Sequence, residues 1–354
     1  MSTRHARWTY LLSFLVISGF AQQPPSSNRQ ITLDVVVTDK SGNPVPGLQQ
    51  PDFTLLDNKQ PQKILSFEAV RRGDAVQGGP ADADPPLEAV LLVDEINAAF
   101  SSVSFERAQV EKFLRHEGGE LPCLVSLAVL SDSGVAMGNV ATRDGNALAA
   151  ELGENKAGLR TITRSQGVYG ADERLGLSLH ALQQLAAYEA PRPGRKLVIW
   201  ISPGWPLLTG PRLELTSKDQ QRYFNSIVGL SDALRQARIT LYSIDPLGMQ
   251  DIGGFRTSFY EGFVKGVKKP SQVQLADLSL QVLATQTGGR VLISSNDVAG
   301  EIATSLADAK TFYVLTFEGL PGDGPNEYHS LEIKLDKSGL KALTRTGYYA
   351  QPQR

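Results

Sequence analysis

The chain has 354 residues, of which 41% are hydrophobic and 20% are charged, and its formal net charge is −2. This length allows two domains of ordinary size, and the composition is normal for a folded protein. The nearly balanced charge excludes the strongly basic surface that nucleic-acid and anionic-membrane binders carry.

The N-terminal segment has the pattern of a secretory signal peptide. Arg4 and Arg7 precede an apolar stretch, and mostly small residues follow up to Ala21. This order predicts cleavage after Ala21 and export to the periplasm or the extracellular space. An uncleaved membrane anchor is the alternative, although the apolar stretch is short against the ~20 residues that a spanning helix needs. No later segment predicts a membrane span.

Residues 22–30 are polar and proline-rich, which predicts a linker. Residues 31–70 then hold three short apolar segments separated by turn residues, the pattern of β-strands. Residues 71–86, full of Gly, Pro, Ala and Asp, form a second predicted linker. The segment 31–70 is too short to bury a core of its own, so its strands need partners from elsewhere in the chain.

The stretch Leu87–Phe100, with the sequence LEAVLLVDEINAAF, begins a different pattern. Its apolar run predicts a strand buried on both faces, as in a parallel sheet, and the acidic residues after it predict a loop at the carboxyl end of that strand. Helical spacing follows over 100–114. Because strand and helix patterns alternate to about residue 310, we predict a doubly wound, mostly parallel α/β domain over 87–310.

The last part of the chain returns to strand patterns. Three strands alone are only marginally stable. We therefore predict that segments 31–70 and 311–350 pack together as a small discontinuous β-sandwich, into which the α/β domain is inserted. The apolar positions expected to face each other are Leu33, Val35, Val37, Phe53, Leu55, Phe67, Tyr313, Leu315, Phe317, Leu331, Ile333 and Leu335.

Six short segments stand out along the chain: VLLVDEIN at 90–97, KLVIWISPGWP at 196–206, LYSIDPLGM at 241–249, TGGRVL at 287–292, YVLTFEG at 313–319 and RTGYYA at 345–350. In this order they resemble the von Willebrand factor A-like proteins, and in particular a secreted subfamily best known from acidobacterial genomes. The resemblance covers nearly all of the chain after the predicted signal peptide. It implies a von Willebrand A-like fold for the α/β domain and a role in protein binding or adhesion.

The resemblance also implies a metal-ion-dependent adhesion site, in which an Asp-x-Ser-x-Ser motif helps to hold Mg²⁺ through oxygen ligands. Asp94 fits this motif, but Ile96 and Ala98 stand where the serines are expected. Asn97 offers an amide oxygen. The site is therefore degenerate, and we expect it to bind Mg²⁺ weakly or not at all. Asp94 and Asn97 are the candidate ligands, and no other cofactor is expected. Alternatively, Asp94 and Asn97 cap the following helix or brace the loop.

A partner-binding face is predicted at the carboxyl ends of the strands, where open α/β sheets bind their ligands. Exposed aromatic residues favour recognition, so Trp205 is the expected anchor of this face. Alternatively, Trp205 packs under the long loop 247–271. The candidate residues of the face are Asp94, Glu95, Asn97, Ser202, Trp205 and Asp245.

The sequence contains no catalytic motif of the common kinds: no Gly-x-Ser-x-Gly elbow, no Walker A loop and no Gly-x-Gly-x-x-Gly after the first strand of the α/β domain. Its four histidines lie far apart without metal-ligand spacing. We therefore expect an exported, non-enzymatic binding or adhesion module with a protein partner. The alternatives are an Mg²⁺-dependent hydrolase that uses Asp94, Asp245 and Asp251, and a structural component of the cell envelope.

Overall fold

The computed structural model describes residues 29–71, 87–98, 100–154, 168–205, 215–246, 259–293 and 295–353. The predicted signal peptide, nearly all of the two predicted linkers, residues 247–258 of the predicted loop, and Asp251 with them, lie outside the described residues.

Strands and helices are numbered in chain order. The strands are β1 (Gln30–Thr38), β2 (Phe53–Asp57), β3 (Gln60–Gln62), β4 (Ile64–Arg71), β5 (Leu87–Asp94), β6 (Glu120–Ser131), β7 (Gly134–Met137), β8 (Thr142–Asp144), β9 (Arg195–Ile201), β10 (Ile239–Ile244), β11 (Val291–Leu292), β12 (Thr311–Glu318), β13 (Glu327–Leu335), β14 (Lys341–Leu343) and β15 (Gly347–Ala350). The helices are α1 (Phe100–Leu114), α2 (Gly145–Glu154), α3 (Val168–Glu189), α4 (Ser217–Gln236), α5 (Leu280–Gln286) and α6 (Val298–Ala307).

A seven-stranded sheet lies at the centre of the molecule, in the order β11-β10-β9-β5-β6-β7, with β8 also paired to β6. Five of its strands are parallel, whereas β7 and β8 run antiparallel to β6. Side chains alternate between the two faces of a strand. Accordingly, Val90 and Leu92 of β5 pack in the core with α3, α4 and α5, and Leu91 and Val93 pack in the core with α1, α2 and α6. Helices on both faces explain why β5 is apolar along its whole length.

Local signals set several boundaries around this sheet. The Thr216 hydroxyl accepts the backbone N–H of Asp219 at the start of α4, and the Ser279 hydroxyl accepts that of Val282 at the start of α5. Soon after α5, Gly288 adopts a φ of +89°, and a Cβ there would lie 2.5 Å from the carbonyl carbon of Thr344. Only glycine satisfies both the left-handed backbone and this close approach.

Two four-stranded antiparallel sheets hold the remaining strands, in the orders β14-β1-β12-β4 and β15-β13-β2-β3. Strand β12 pairs with β1 on one side and with β4 on the other, so the two ends of the chain meet in one sheet. The Phe53 and Tyr313 rings, one from each sheet, have centroids 5.0 Å apart. All twelve apolar residues that the sequence analysis expected to face each other lie in or against one hydrophobic cluster.

The predicted fold class needs correction. The central sheet is mixed, and eight of the fifteen described strands lie in the two antiparallel sheets. A mostly parallel, von Willebrand A-like domain inserted into a small β-sandwich is therefore not what the structure shows. Strands β7 and β8 were not predicted because they are short and partly exposed, and therefore lack the apolar run that marks β5. The predicted domain boundaries stay a prediction.

A buried network of charged groups joins the central sheet to the turn after β1. The carboxylate of Asp308 accepts Arg290 Nε at 2.7 Å and Nη2 at 2.6 Å, and it accepts the Tyr242 hydroxyl at 3.1 Å. Arg195, which is buried at the start of β9, donates to the Asp308 backbone carbonyl at 3.0 Å. Arg290 also donates to the Gly42 carbonyl at 3.0 Å, so this network fixes the turn against the sheet.

Candidate functional site

Asp94 is the last residue of β5, and its side chain is fully buried at the carboxyl edge of the central sheet. Its Oδ1 accepts the backbone N–H groups of Ile96 at 3.0 Å and Asn97 at 3.1 Å. Its Oδ2 accepts Asn97 Nδ2 at 2.8 Å and Trp200 Nε1 at 3.0 Å. An ionised carboxylate can accept about four hydrogen bonds, so these four donors use all the acceptor sites of the Asp94 carboxylate.

Asn97, the other candidate metal ligand, turns its amide nitrogen toward Asp94. Asn97 Nδ2 also donates to the Ser178 hydroxyl at 2.9 Å, and Asn97 Oδ1 is buried without a hydrogen-bond partner. The two candidate ligands thus bond to each other within the loop. Across the described part of the chain, no group of three His, Cys, Asp or Glu residues is placed to hold a metal ion.

Two glutamates lie beside this loop. Glu95 Oε1 pairs with Arg107 Nη1 at 2.7 Å, and burial raises the pKa of Glu95 although Arg107 opposes the change. Glu106 of α1 is fully buried, and its Oε1 accepts the backbone N–H of Asp94 at 3.1 Å. Burial, reinforced by the charge of Asp94, raises the pKa of Glu106 well above its ordinary value, which favours the protonated acid.

Glu106 was not among the predicted site residues. It lies three residues after Val103 and four before Val110, both of which are buried. That spacing puts Glu106 on the buried face of α1. An acidic residue within the apolar stripe of a helix is the sequence signal that could have identified Glu106.

Ser202 and Trp205 follow β9 and both are buried. The Ser202 hydroxyl accepts the backbone N–H of Gly204 at 3.0 Å. Trp205 Nε1 donates to the Leu278 carbonyl at 2.8 Å, and its ring lies edge-on to Trp200 at a centroid distance of 5.5 Å. Trp205 is only 3% exposed, so in this structure it is a core residue and not a surface anchor.

Asp245, which directly follows β10, is also buried, and its charge affects Glu301. Burial, with the charges of Asp245 and Asp297, raises the pKa of Glu301 on α6 to about 7. The structure therefore brings Asp94 and Asn97 into direct contact, whereas Asp245 lies close enough to Glu301 to affect its charge. Four of the six predicted face residues are buried, and Glu95 and Asn97 are half-buried.

Glu301 makes the stability of the chain depend on pH. Its ordinary pKa is 4.5 and its pKa in the folded chain is about 7, so between these values the folded chain holds a proton that the unfolded chain has released. The unfolding free energy therefore falls as the pH rises through this range, and the loss is complete above pH 7. We expect Glu301→Gln to reduce this decline by on the order of 2 kcal/mol.

Urea denaturation at pH 5 and pH 8 measures the decline. Glu111→Gln is the matched control, because Glu111 lies exposed on α1 and pairs with Arg115 at 2.9 Å. The control should decline as the wild type does. An equal decline in Glu301→Gln and in the control would show that Glu301 does not carry the effect.

No family model matches the sequence, and no curated protein matches it. Among solved structures, the PilB minor pilin from Streptococcus sanguinis is similar with a TM-score of 0.37 and 11% identity, over 66% of this chain and 64% of that chain. Three N-terminal domains of the type V pili tip protein Mfa5 from Porphyromonas gingivalis are similar with a TM-score of 0.36 and 10% identity, over 91% of this chain and 66% of that chain.

The chain thus spans just under two thirds of the length of both pilus proteins. Within the described residues, no helix combines the length and the apolar character that a membrane crossing needs.

The resemblance to von Willebrand A-like proteins needs correction, because neither a family model nor a curated relative supports it. The segments that suggested the resemblance are mostly buried strands with the turns that follow them. Such segments occur wherever a strand is covered on both faces, so they do not identify a family. The von Willebrand A-like membership is therefore wrong, and no comparison supports the degenerate adhesion-site motif that it implied.

Proposed function

We propose that the chain is an exported protein that acts by binding another protein and not by catalysis. The observation that carries this proposal is a groove of about 580 Å³ beside α1, β6 and α6. Its apolar lining is Phe113, Leu121, Pro122, Ala303, Leu306 and Ala307, and its polar lining is His116, Glu117, Glu120, Arg143 and Lys310. The basic and apolar order of residues 4–17 supports export.

The groove lies at the amino ends of the parallel strands, because its lining includes the first residues of β6. It is therefore at the opposite edge of the sheet from Asp94. Its volume falls within the range of about 300–1,000 Å³ that is usual for ligand sites. Its lining combines apolar side chains with charged side chains of both signs, and protein–protein interfaces have such a mixed composition.

The other candidate functions have less support. The face around Asp94 remains a candidate, but its expected anchor Trp205 is buried, so binding there would need a rearrangement. A structural role in the cell envelope is the second candidate, and the buried network around Asp308, which fixes the turn after β1 against the sheet, favours it. The described residues offer no observation in favour of a Mg²⁺-dependent hydrolase.

The binding role is tested by site-specific photo-crosslinking in the producing cell. Ala303 and Thr304 are neighbours on α6 and both are exposed, but only Ala303 lines the groove. A photo-reactive residue at position 303 should yield one discrete cross-linked protein, and the same residue at 304 should yield at least tenfold less. Variants without the photo-reactive residue serve as competitors for the cross-linked protein. Ala303→Arg, which fills the groove with a charged side chain, should compete poorly, whereas Thr304→Arg should compete as the wild type does. Equal cross-linking from both positions would rule out the groove as the binding surface.

A further inference from the structure

Three arginines converge where the C-terminal end of α4 faces the connection between β14 and β15. Arg235 lies in the last turn of α4, Arg238 follows that helix, and Arg345 lies between the two strands. Arg345 is 8% exposed. Its one side-chain hydrogen bond within the described residues is to the Ser231 carbonyl, at 3.5 Å from Nη1. A guanidinium has five N–H donors, so most of the hydrogen-bonding capacity of Arg345 is unused by these residues.

The carboxylates nearby do not balance these charges. Asp232 Oδ1 lies 3.2 Å from Arg235 Nη2, and Asp34 Oδ2 lies 3.4 Å from Arg238 Nε. Two carboxylates against three guanidinium groups leave one excess positive charge. Burial and the neighbouring Arg235 lower the pKa of Arg345 to about 10, so Arg345 still carries its charge at neutral pH. A buried charge without a counter-charge is costly.

A cavity of about 20 Å³ adjoins these groups. Arg235, Arg238 and Arg345 line it, together with the hydroxyl-bearing residues Thr240 and Thr287. Asp34 also lines it, but its carboxylate is paired with Arg238. Arg235 Nε is buried and has no hydrogen-bond partner. The cavity therefore combines one buried N–H donor without a partner, on Arg235, with a local positive charge and room for one particle of about the size of a water molecule.

We propose that this cavity binds one monovalent inorganic anion of the size of chloride, held by Arg345 and Arg235. A water molecule there would accept hydrogen bonds but would leave the excess charge unbalanced. Tetrahedral anions such as phosphate exceed the volume. Because Asp34 belongs to β1 and Arg235 to α4, the anion lies where the antiparallel strands meet the helical layer. Its binding therefore stabilises the folded chain and not only the local side chains.

The test is thermal unfolding of the purified chain in sodium bromide or in sodium gluconate at the same ionic strength, because gluconate is too large for the cavity. We expect the wild type to unfold about 3 °C higher at a bromide concentration tenfold above the dissociation constant, with a saturable dependence on bromide. Arg345→Met, similar in length but uncharged, should lose the difference between the two salts. Arg222→Met should keep the difference, because Arg222 lies on the same helix but is exposed.

Anomalous diffraction from wild-type crystals grown in bromide keeps the test independent of whether Arg345→Met folds. A bromide peak between Arg345 and Arg235 supports the proposal. The proposal is overturned by the lack of a peak there, or by an equal salt difference in wild type and Arg345→Met.

Discussion

Replacing Asp308 by alanine is expected to lower the unfolding free energy by about 3–5 kcal/mol, the usual cost of removing one partner of a buried ion pair. The Asp308 carboxylate is fully buried and accepts two hydrogen bonds from Arg290 and one from Tyr242. The side chain of Arg290 is only 16% exposed, so without Asp308 its charge stays buried and loses its partner. The same change loosens the turn at Gly42, because Arg290 holds that turn by donating a hydrogen bond to the Gly42 carbonyl.

Urea denaturation measures this loss, and Asp297→Ala is the matched control. Asp297 lies next to the first residue of α6, its side chain is 61% exposed, and it makes no side-chain hydrogen bond to cap that helix. The control should change the unfolding free energy by about 0.5 kcal/mol or less. Combining Asp308→Ala with Arg290→Met should recover part of the loss, because it removes the unpaired charge. Equal destabilisation by Asp308→Ala and by the control would contradict the assigned role of the pair.

The sequence predicted the strands and helices whose surroundings are the same along their whole length. Strand β5 is covered by helices on both faces, so its residues are apolar throughout and the pattern alone identified it. Helix α1 was predicted with the bounds that the structure has, because its apolar residues repeat at helical spacing. The short antiparallel strands β7 and β8 gave no such signal. The residues of β8 are Thr142, Arg143 and Asp144, which are polar and mostly exposed.

Buried charges depend on partners that are distant in sequence, and therefore no local pattern predicted them. Arg195 and Lys196, two adjacent charged residues, are both buried within β9. Arg195 contacts the backbone of Asp308, 113 positions further along the chain. Trp205 was expected to anchor a binding face. Its position in the core depends on a hydrogen bond to the carbonyl of Leu278, 73 positions away, and no local pattern indicates such a partner.

The proposed groove was also beyond prediction, since it is assembled from α1, the start of β6 and α6. Each of these contributes only a few side chains, and none of the contributing segments shows a recognisable motif. The loop at Asp94 was predicted at its correct place in the chain, at the end of β5. Its chemistry was harder to predict because Trp200, Ser178 and Glu106, which bond to Asp94 or Asn97, come from other elements.

A chain that begins at Leu87 is expected to aggregate and not to yield a soluble monomer. Strand β12 pairs with β1 along one edge and with β4 along the other, and both partners lie before residue 87. Their loss leaves β12 with two unpaired edges, which are templates for association between chains. It also uncovers Tyr313, Leu315 and Phe317, whose cluster includes side chains of β1 and β2.

Size-exclusion chromatography with light scattering compares this shorter chain with one that begins at Arg29. The longer chain keeps β1 to β4 and the pair of Arg29 with Glu318 at 2.8 Å, so it should elute as a folded species with the thermal stability of the full chain. A monomeric 87–354 fragment with that same stability would show that β12 does not need the first strands. Aggregation of the fragment alone would show that both ends of the chain fold as one cooperative unit, since β12 receives both of its neighbours from residues before 72.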